Sequence, residues 1–262
     1  RILVPIANPD NVGTLIDLAI ILRSPGTKES IYPLAIVKDD KEATQRIRNY
    51  KPILDKITKD AAASECSVNA ITRVDLNIPD AIVRASKELM ISEVVMGWSE
   101  RAPEINRILG NVLDSVLKGA DCATIVSHLP KPLNTTERII VSVPEYAERE
   151  PGFHQWLKLV ANLSTQLSCG LTYCASTETS FAIQEAMITL KKSLPSSYKA
   201  PVLPDKLFVQ PSYRGQSLYV FVSARPRGVS YNNSLRNLRY KLPLNSVGEN
   251  LLVIYPQQIV NL

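Results

Sequence analysis

The sequence predicts an α/β protein made of two tandem, doubly wound, mainly parallel five-stranded sheets, the second repeat degenerate. Three observations predict this. Short apolar runs of strand length alternate with longer segments whose apolar residues recur at helical spacing, as buried parallel strands and their crossover helices do. The series begins again after a proline-bearing stretch near the middle of the chain. No segment approaches the roughly 18 apolar residues of a membrane span, since the best candidate, Leu15–Leu22, is short and contains Asp17.

Taken in order, Arg1-Ile2-Leu3-Val4-Pro5-Ile6-Ala7 reads as a buried parallel strand. Asn8, Pro9 and Asp10 supply turn and helix-start chemistry. Val12, Leu15, Ile16, Leu18, Ala19 and Leu22 then mark a helix that Ser24-Pro25-Gly26 stops. Ile31–Val37 is a second strand, and Lys41–Ala63 a long helix that Pro52 is expected to kink. Val68–Val74 alternates as a third strand. Ile78–Leu89 is a helix that tolerates Pro79 in its first turn. Ser92–Met96 is the fourth strand, Gly110–Lys118 the fourth helix and Cys122–Val126 the fifth strand.

His128–Thr136, with Pro130 and Pro132, reads as a linker, so the expected domains are 1–130 and 137–262. After it, Arg138–Pro144 echoes Arg1–Ala7, Ser217–Val222 echoes Ser92–Met96, and Leu251–Ile254 echoes Cys122–Val126. A tandem duplication explains these echoes. The second copy departs before Leu218. Residues 211–216 reach about 20 Å fully extended, whereas a parallel crossover takes a dozen or so residues. Leu207–Gln210 is therefore expected to be displaced from the parallel order, or to run antiparallel to Leu218–Val222.

The 262 residues are 45% hydrophobic and 21% charged, enough for a substantial core. Residues 1–130 hold 16 Lys/Arg against 17 Asp/Glu, and residues 131–262 hold 14 against 8. From Lys191 to Lys241 stand ten bases, Arg225 and Arg227 among them, with Asp205 the one acid. Such a run attracts an anionic lipid, a nucleotide or an acidic partner, and it also reads as a solvated basic face. The four cysteines form no C-x-x-C pair and read as buried free thiols. Two histidines without ligand-spaced partners make a zinc site improbable, and nothing resembles a nucleophile elbow. The chain opens on Arg1, from which a fragment of a longer protein is expected.

Chemistry concentrates in Val94–Asp114. It reads as a strand, a turn at Gly97, a loop carrying Arg101 and Arg107, and a helix opening at Gly110. A glycine beyond a strand lets the backbone approach a ligand, and a helix start presents N–H groups at the positive end of the dipole. Those are the parts of a phosphate cradle. The same stretch also reads as a plain strand–loop–helix connection with two turn glycines.

On these residues the chain resembles the universal stress protein family in tandem form, strongly in the first half and weakly in the second. Nucleotide-binding members carry G-x2-G-x9-G-(S/T). Gly97 and Gly110 fall on the first and third glycines, while Glu100 replaces the second and Asn111 the serine or threonine. The family's aspartate after the first strand is Ala7 here, followed by Asn8. The resemblance implies main-chain reading of adenine at Val37. Met96 and Ser99 fall in the phosphate loop, and Val112 and Leu113 follow the third glycine. Glu100 opposes phosphate unless Arg101 or Arg107 neutralises it, whereas Asn111 still donates a hydrogen bond.

Arg1–Pro9, Leu15–Ala19, Gly97-Trp98-Ser99 and Gly110–Asp114 also resemble the cytoplasmic tails of antiporters of the monovalent cation:proton antiporter-2 family. Together the resemblances imply a cytosolic regulatory domain of a sodium or potassium/proton antiporter that senses an adenine nucleotide (ATP, AMP or a cyclic form) and modulates transport. The implied partners are the membrane transporter domain of the same chain and a second copy in a homodimer, with no nucleic acid. The alternative is a free-standing tandem universal stress protein. An enzyme is not expected, because neither Glu100 nor Asp114 has the supporting groups that even a slow nucleotide hydrolase needs.

Overall fold

A computed structural model describes residues 1–62, 66–98, 112–208, 215–232 and 248–258. The chain divides into two compact units, Arg1–Thr124 and Ile125–Leu262. The first contains β1 (Ile2–Ile6), α1 (Val12–Leu22), β2 (Ile31–Lys38), α2 (Ala43–Ala62), β3 (Ile71–Asp75), α3 (Ile78–Glu88) and β4 (Glu93–Gly97). Then come α4 (112–119) and β5 (Ala123–His128), within which the division falls. The strand order is β3-β2-β1-β4-β5. β1 pairs in parallel with both β2 and β4, and β2 with β3.

Composition explains these positions. All five residues of β1 are buried, as befits a central strand covered on both faces. β3 alternates between half-buried and exposed, as an edge strand does. Arg73 of β3 pairs with Glu88, and Asp75 at the end of β3 pairs with Arg84, so two ion pairs pin that edge to α3. α1 buries Val12, Leu15, Ile16, Leu18, Ala19 and Leu22, the residues whose spacing marks it in the sequence.

The second unit contains β6 (Arg138–Ser142), α5 (Phe153–Leu167), β7 (Gly170–Cys174), α6 (Thr177–Thr189), β8 (Ser196–Lys199), α7 (Pro204–Leu207), β9 (Ser217–Val222) and β10 (Asn250–Tyr255). Its order, β10-β9-β6-β7-β8, repeats the winding of the first unit strand for strand. Every one of these pairings is parallel. The expected alteration of this sheet is overturned, since its five strands keep the parallel order, although Leu207 does stand outside that order as expected. The third strand is Ser196–Lys199, upstream of Leu207, and Leu207 itself closes the short helix α7. Moving the strand upstream lengthens the crossover to residues 200–216, enough for a parallel return. Gln210 lies outside the described residues.

One further reading changes and one holds. The proline-bearing stretch is packed rather than a free linker: Leu133 and Thr136 are buried. The Lys131 N–H donates to Asn250 Oδ1 at 3.1 Å, and its ammonium pairs with Glu249 at 3.0 Å. All four cysteines are buried free thiols.

Candidate functional site

In doubly wound sheets ligands bind beyond the carboxyl ends of the strands, where the strand order reverses. In the first unit that switch lies between β1 and β4. The β1–β2 ladder runs from Ile2↔Ile31 to Ile6↔Ala35, but the β1–β4 ladder covers only Ile2↔Glu93 and Leu3↔Val94. The sequence supplies the cause. The Ile2 N–H bonds Ser30 on the β2 side, so alternation turns Leu3 and Pro5 toward β4. Pro5 has no N–H to donate, and the pairing lapses there. Ala7-Asn8 and Met96-Gly97-Trp98 follow at the carboxyl ends of the two strands.

Ala7 is exposed and presents only a methyl group. Asn8 is extended (φ −128°) and caps the 3-10 turn Pro9–Asn11, its Oδ1 accepting the Asp10 N–H at 3.1 Å. α1 then starts at Val12 with no side-chain cap from Asn11 and no acid in its first turn. The 3-10 turn runs directly into α1, the Val12 N–H bonding the Pro9 carbonyl, so the helical stretch begins at Pro9 under the Asn8 cap, at the carboxyl end of β1. A Cβ at Gly13, in that first turn, would meet nothing within 4 Å.

Val37 is buried in β2, two residues beyond the end of the β1 ladder. Ile31 donates to Ser67 and accepts from Asn69, so odd-numbered residues of β2 turn their amides toward β3, and Val37 is among them. The main chain that faces the β1 side past the end of that strand belongs to Ile36 and Lys38. Sequence reasoning missed these two because strand parity is fixed only by the ladder. Gly97 closes β4 without a left-handed φ. A Cβ there would sit 3.3 Å from Leu15 Cδ1, so α1 packs closely on the strand end and a side chain at this position needs Leu15 to give by a few tenths of an ångström. Met96, Val112 and Leu113 are buried in the core. The structure therefore gathers Ala7, Asn8, Met96 and Gly97 at one rim. Ser99, Glu100, Arg101, Arg107, Gly110 and Asn111 lie outside the described residues.

At the corresponding switch of the second unit, between β6 and β9, the connection to the next helix is residues 143–152, twice the length of residues 7–11 in the first unit. This longer segment packs over the strand ends. Glu148 accepts the Thr179 hydroxyl at 2.9 Å. Glu150 accepts both the N–H and the hydroxyl of Ser230, each at 2.7 Å. Gly152 lies against Pro256 and Gln257, so close that a Cβ would be 2.6 Å from the Gln257 nitrogen.

Arg225 is buried here, with its Nε–H donating to the Pro256 carbonyl at 3.3 Å. That removes Arg225 from the expected basic surface. Lys191 precedes β8 and Lys199 ends it, so these two exposed bases sit at opposite ends of that strand rather than on one face. Arg214, Arg236, Arg239 and Lys241 lie outside the described residues.

Such a sheet, with its switch point, defines the doubly wound α/β class. Residues 1–128 match the universal stress protein family. That part of the chain is a universal-stress-protein-like domain. A comparison with curated proteins gave no match. Among solved structures, the cytoplasmic domain of a prokaryotic cation chloride cotransporter is similar, with a TM-score of 0.66 and 14% identity over 97% of this chain and 94% of that one. A universal stress protein from Archaeoglobus fulgidus gives 0.66 and 14% over 98% and 96%. A functionally unknown protein from Pseudomonas aeruginosa gives 0.59 and 16% over 97% and 92%. At these identities the likeness establishes the fold.

Proposed function

We propose that this chain is a regulatory binding module: the cytosolic domain of a sodium or potassium/proton antiporter, sensing an adenine nucleotide and tuning transport. The observation that carries the reading is the first unit's switch point, where the β1–β4 ladder lapses at Pro5 and a short turn leads into α1. The residues there fit an adenine nucleotide in part. Ile36 and Lys38 offer main-chain groups to a base edge, and the start of α1 tolerates negative charge. Ala7, where the family has an aspartate, offers no hydrogen bond to a ribose. The likeness to the cytoplasmic domain of a cation chloride cotransporter supports the transport setting. In this reading the domain lies on the cytoplasmic side and works as a homodimer. The equal likeness to a universal stress protein favours a second reading, a free-standing tandem universal stress protein binding ATP or AMP. In both readings the domain is a binder rather than a catalyst.

Calorimetric titration of ATP and AMP into the full chain and two variants tests the site. Gly110→Val puts a branched side chain at the third glycine of the family's phosphate pattern and is expected to weaken binding at least about tenfold. Ala7→Asp adds an exposed carboxylate that accepts ribose hydroxyls, and a hydrogen bond to a charged group is worth roughly 1.5–3 kcal/mol, about ten- to a hundredfold in affinity. Binding by the parent chain that neither substitution changes would place the ligand elsewhere. No binding by the parent chain or by Ala7→Asp would end the nucleotide reading.

A further inference from the structure

The second unit repeats the winding of the first but handles its switch point in the opposite way. Where the first unit has only the short turn 7–11, the second lays residues 143–152 across the strand ends and places a carboxylate there. The loop that receives it is built in detail. The Gly228 N–H bonds the Arg225 carbonyl at 2.9 Å across a turn with Pro226 second and Arg227 third, the latter in the left-handed region (φ +79°). The turn brings Gly228 so close to Glu150 that a Cβ would lie 2.6 Å from Oε1 and 3.1 Å from the Arg225 carbonyl oxygen, so a side chain here would push the carboxylate aside. Ser230, 3% exposed, delivers its N–H and its hydroxyl to the same oxygen. Arg225, 4% exposed, stands at the start of this turn, and the buried Ser223 hydroxyl at the end of β9 has no hydrogen-bond partner among the described residues.

Converging N–H and O–H donors, a glycine that permits close approach and a buried guanidinium nearby are the means by which proteins hold an oxyanion. We propose that the loop Arg225–Ser230 is an oxyanion-binding cradle whose resident occupant is the chain's own Glu150, and that it accepts a small carboxylate or phosphate once that side chain is removed. Glu150 is a built-in ligand, and its segment is the plug. The cradle sits where a switch-point sheet would bind a ligand's anionic group, which explains how one winding yields one receptive and one self-filled crevice. The inference does not depend on the first unit binding a nucleotide.

Glu150→Ala in the full chain tests it by anion rescue. Thermal unfolding is followed in potassium chloride, potassium acetate and potassium phosphate at equal ionic strength. The variant is expected to melt below the parent chain, and acetate or phosphate to raise its midpoint by about 3–6 °C at ten times the anion's dissociation constant. The parent chain should not respond. Acetate alone, or phosphate as well, tells whether the cradle is sized for a carboxylate or also admits a phosphoryl group. The double variant Glu150→Ala/Ser230→Ala should lose the response. If Glu150→Ala does not fold in chloride, refolding that requires acetate or phosphate carries the same meaning. Glu150→Gln keeps the shape and an acceptor oxygen without the charge, and should melt below the parent without anion rescue. Absence of rescue in Glu150→Ala, rescue that survives loss of Ser230, or a Glu150→Gln variant as stable as the parent would overturn the proposal.

Discussion

Gly152→Ala asks whether the segment over the second sheet is as tightly packed as the distances imply. Gly152 is the N-cap of α5, with φ −84° and ψ 11°, a conformation alanine also adopts, so backbone strain plays no part. Space decides. The new methyl would lie 2.6 Å from the Gln257 nitrogen, 2.7 Å from Pro256 Cβ and 2.8 Å from the Gln257 carbonyl oxygen. Two of these three atoms are backbone and cannot rotate away. Relief requires moving either the chain after β10 or the segment 143–152, and the second route breaks the Glu150–Ser230 bonds. Overpacking and loss of a charged hydrogen bond each cost about 1–3 kcal/mol, so a loss of about 2–3 kcal/mol is expected, a fall in midpoint of roughly 5–10 °C. The chain has two tryptophans, and Trp156, fully buried one turn into α5, reports on this region. Denaturation followed by fluorescence in a Trp98→Phe background isolates it. Gly13→Ala is the control: it is helical with open space around a new Cβ, and should stabilise by about 0.5–1 kcal/mol. If Gly13→Ala behaves so while Gly152→Ala stays within about 0.5 kcal/mol of the parent, the packing argument for the plug fails.

Two predictions concern titrating groups. The Tyr173 hydroxyl is fully buried with no hydrogen-bond partner among the described residues, and burial pushes its phenol pKa upward. A raised pKa means stability that is present below the unfolded value near 10 and lost as pH climbs toward the folded one. Tyr173→Phe should therefore add about 1 kcal/mol at neutral pH and delay alkaline unfolding; a clear loss of stability on urea denaturation at pH 7 would contradict it. The Asp75 carboxyl is held below its ordinary range by the Asn77 N–H and then by Arg84. Its contribution is present above about pH 4 and disappears as pH falls through the folded value. Asp75→Asn should flatten stability against pH between about 4 and 2, and an unchanged acid limb would show that this pairing contributes nothing.

The sequence alone determined the winding of the first unit and most of its elements. Apolar runs such as Ile2–Ile6 and Ser217–Val222 are buried on both faces, and burial on both faces leaves an unmistakable mark in composition. It could not mark β8, because Ser196-Ser197-Tyr198-Lys199 is an edge strand that buries little and shows no apolar run. An edge strand is defined by its neighbour's ladder, so tertiary structure alone decided it and with it the length of the crossover. The same holds at the candidate site. Pro5 and Gly97 could be read as residue types, but only the ladders revealed that Pro5 ends the β1–β4 pairing and that Leu15 lies against Gly97. Which main-chain groups of β2 face the switch point depends on pairing parity, and residue letters do not carry parity. Arg225 is the sharpest case. A run of bases reads as a solvated surface, yet folding buries this one beneath Pro256 in a loop that holds Glu150, 75 residues earlier in the chain. Charge in a sequence is a sum along the chain, whereas its use depends on which distant backbone and side-chain groups the sheet brings to meet it.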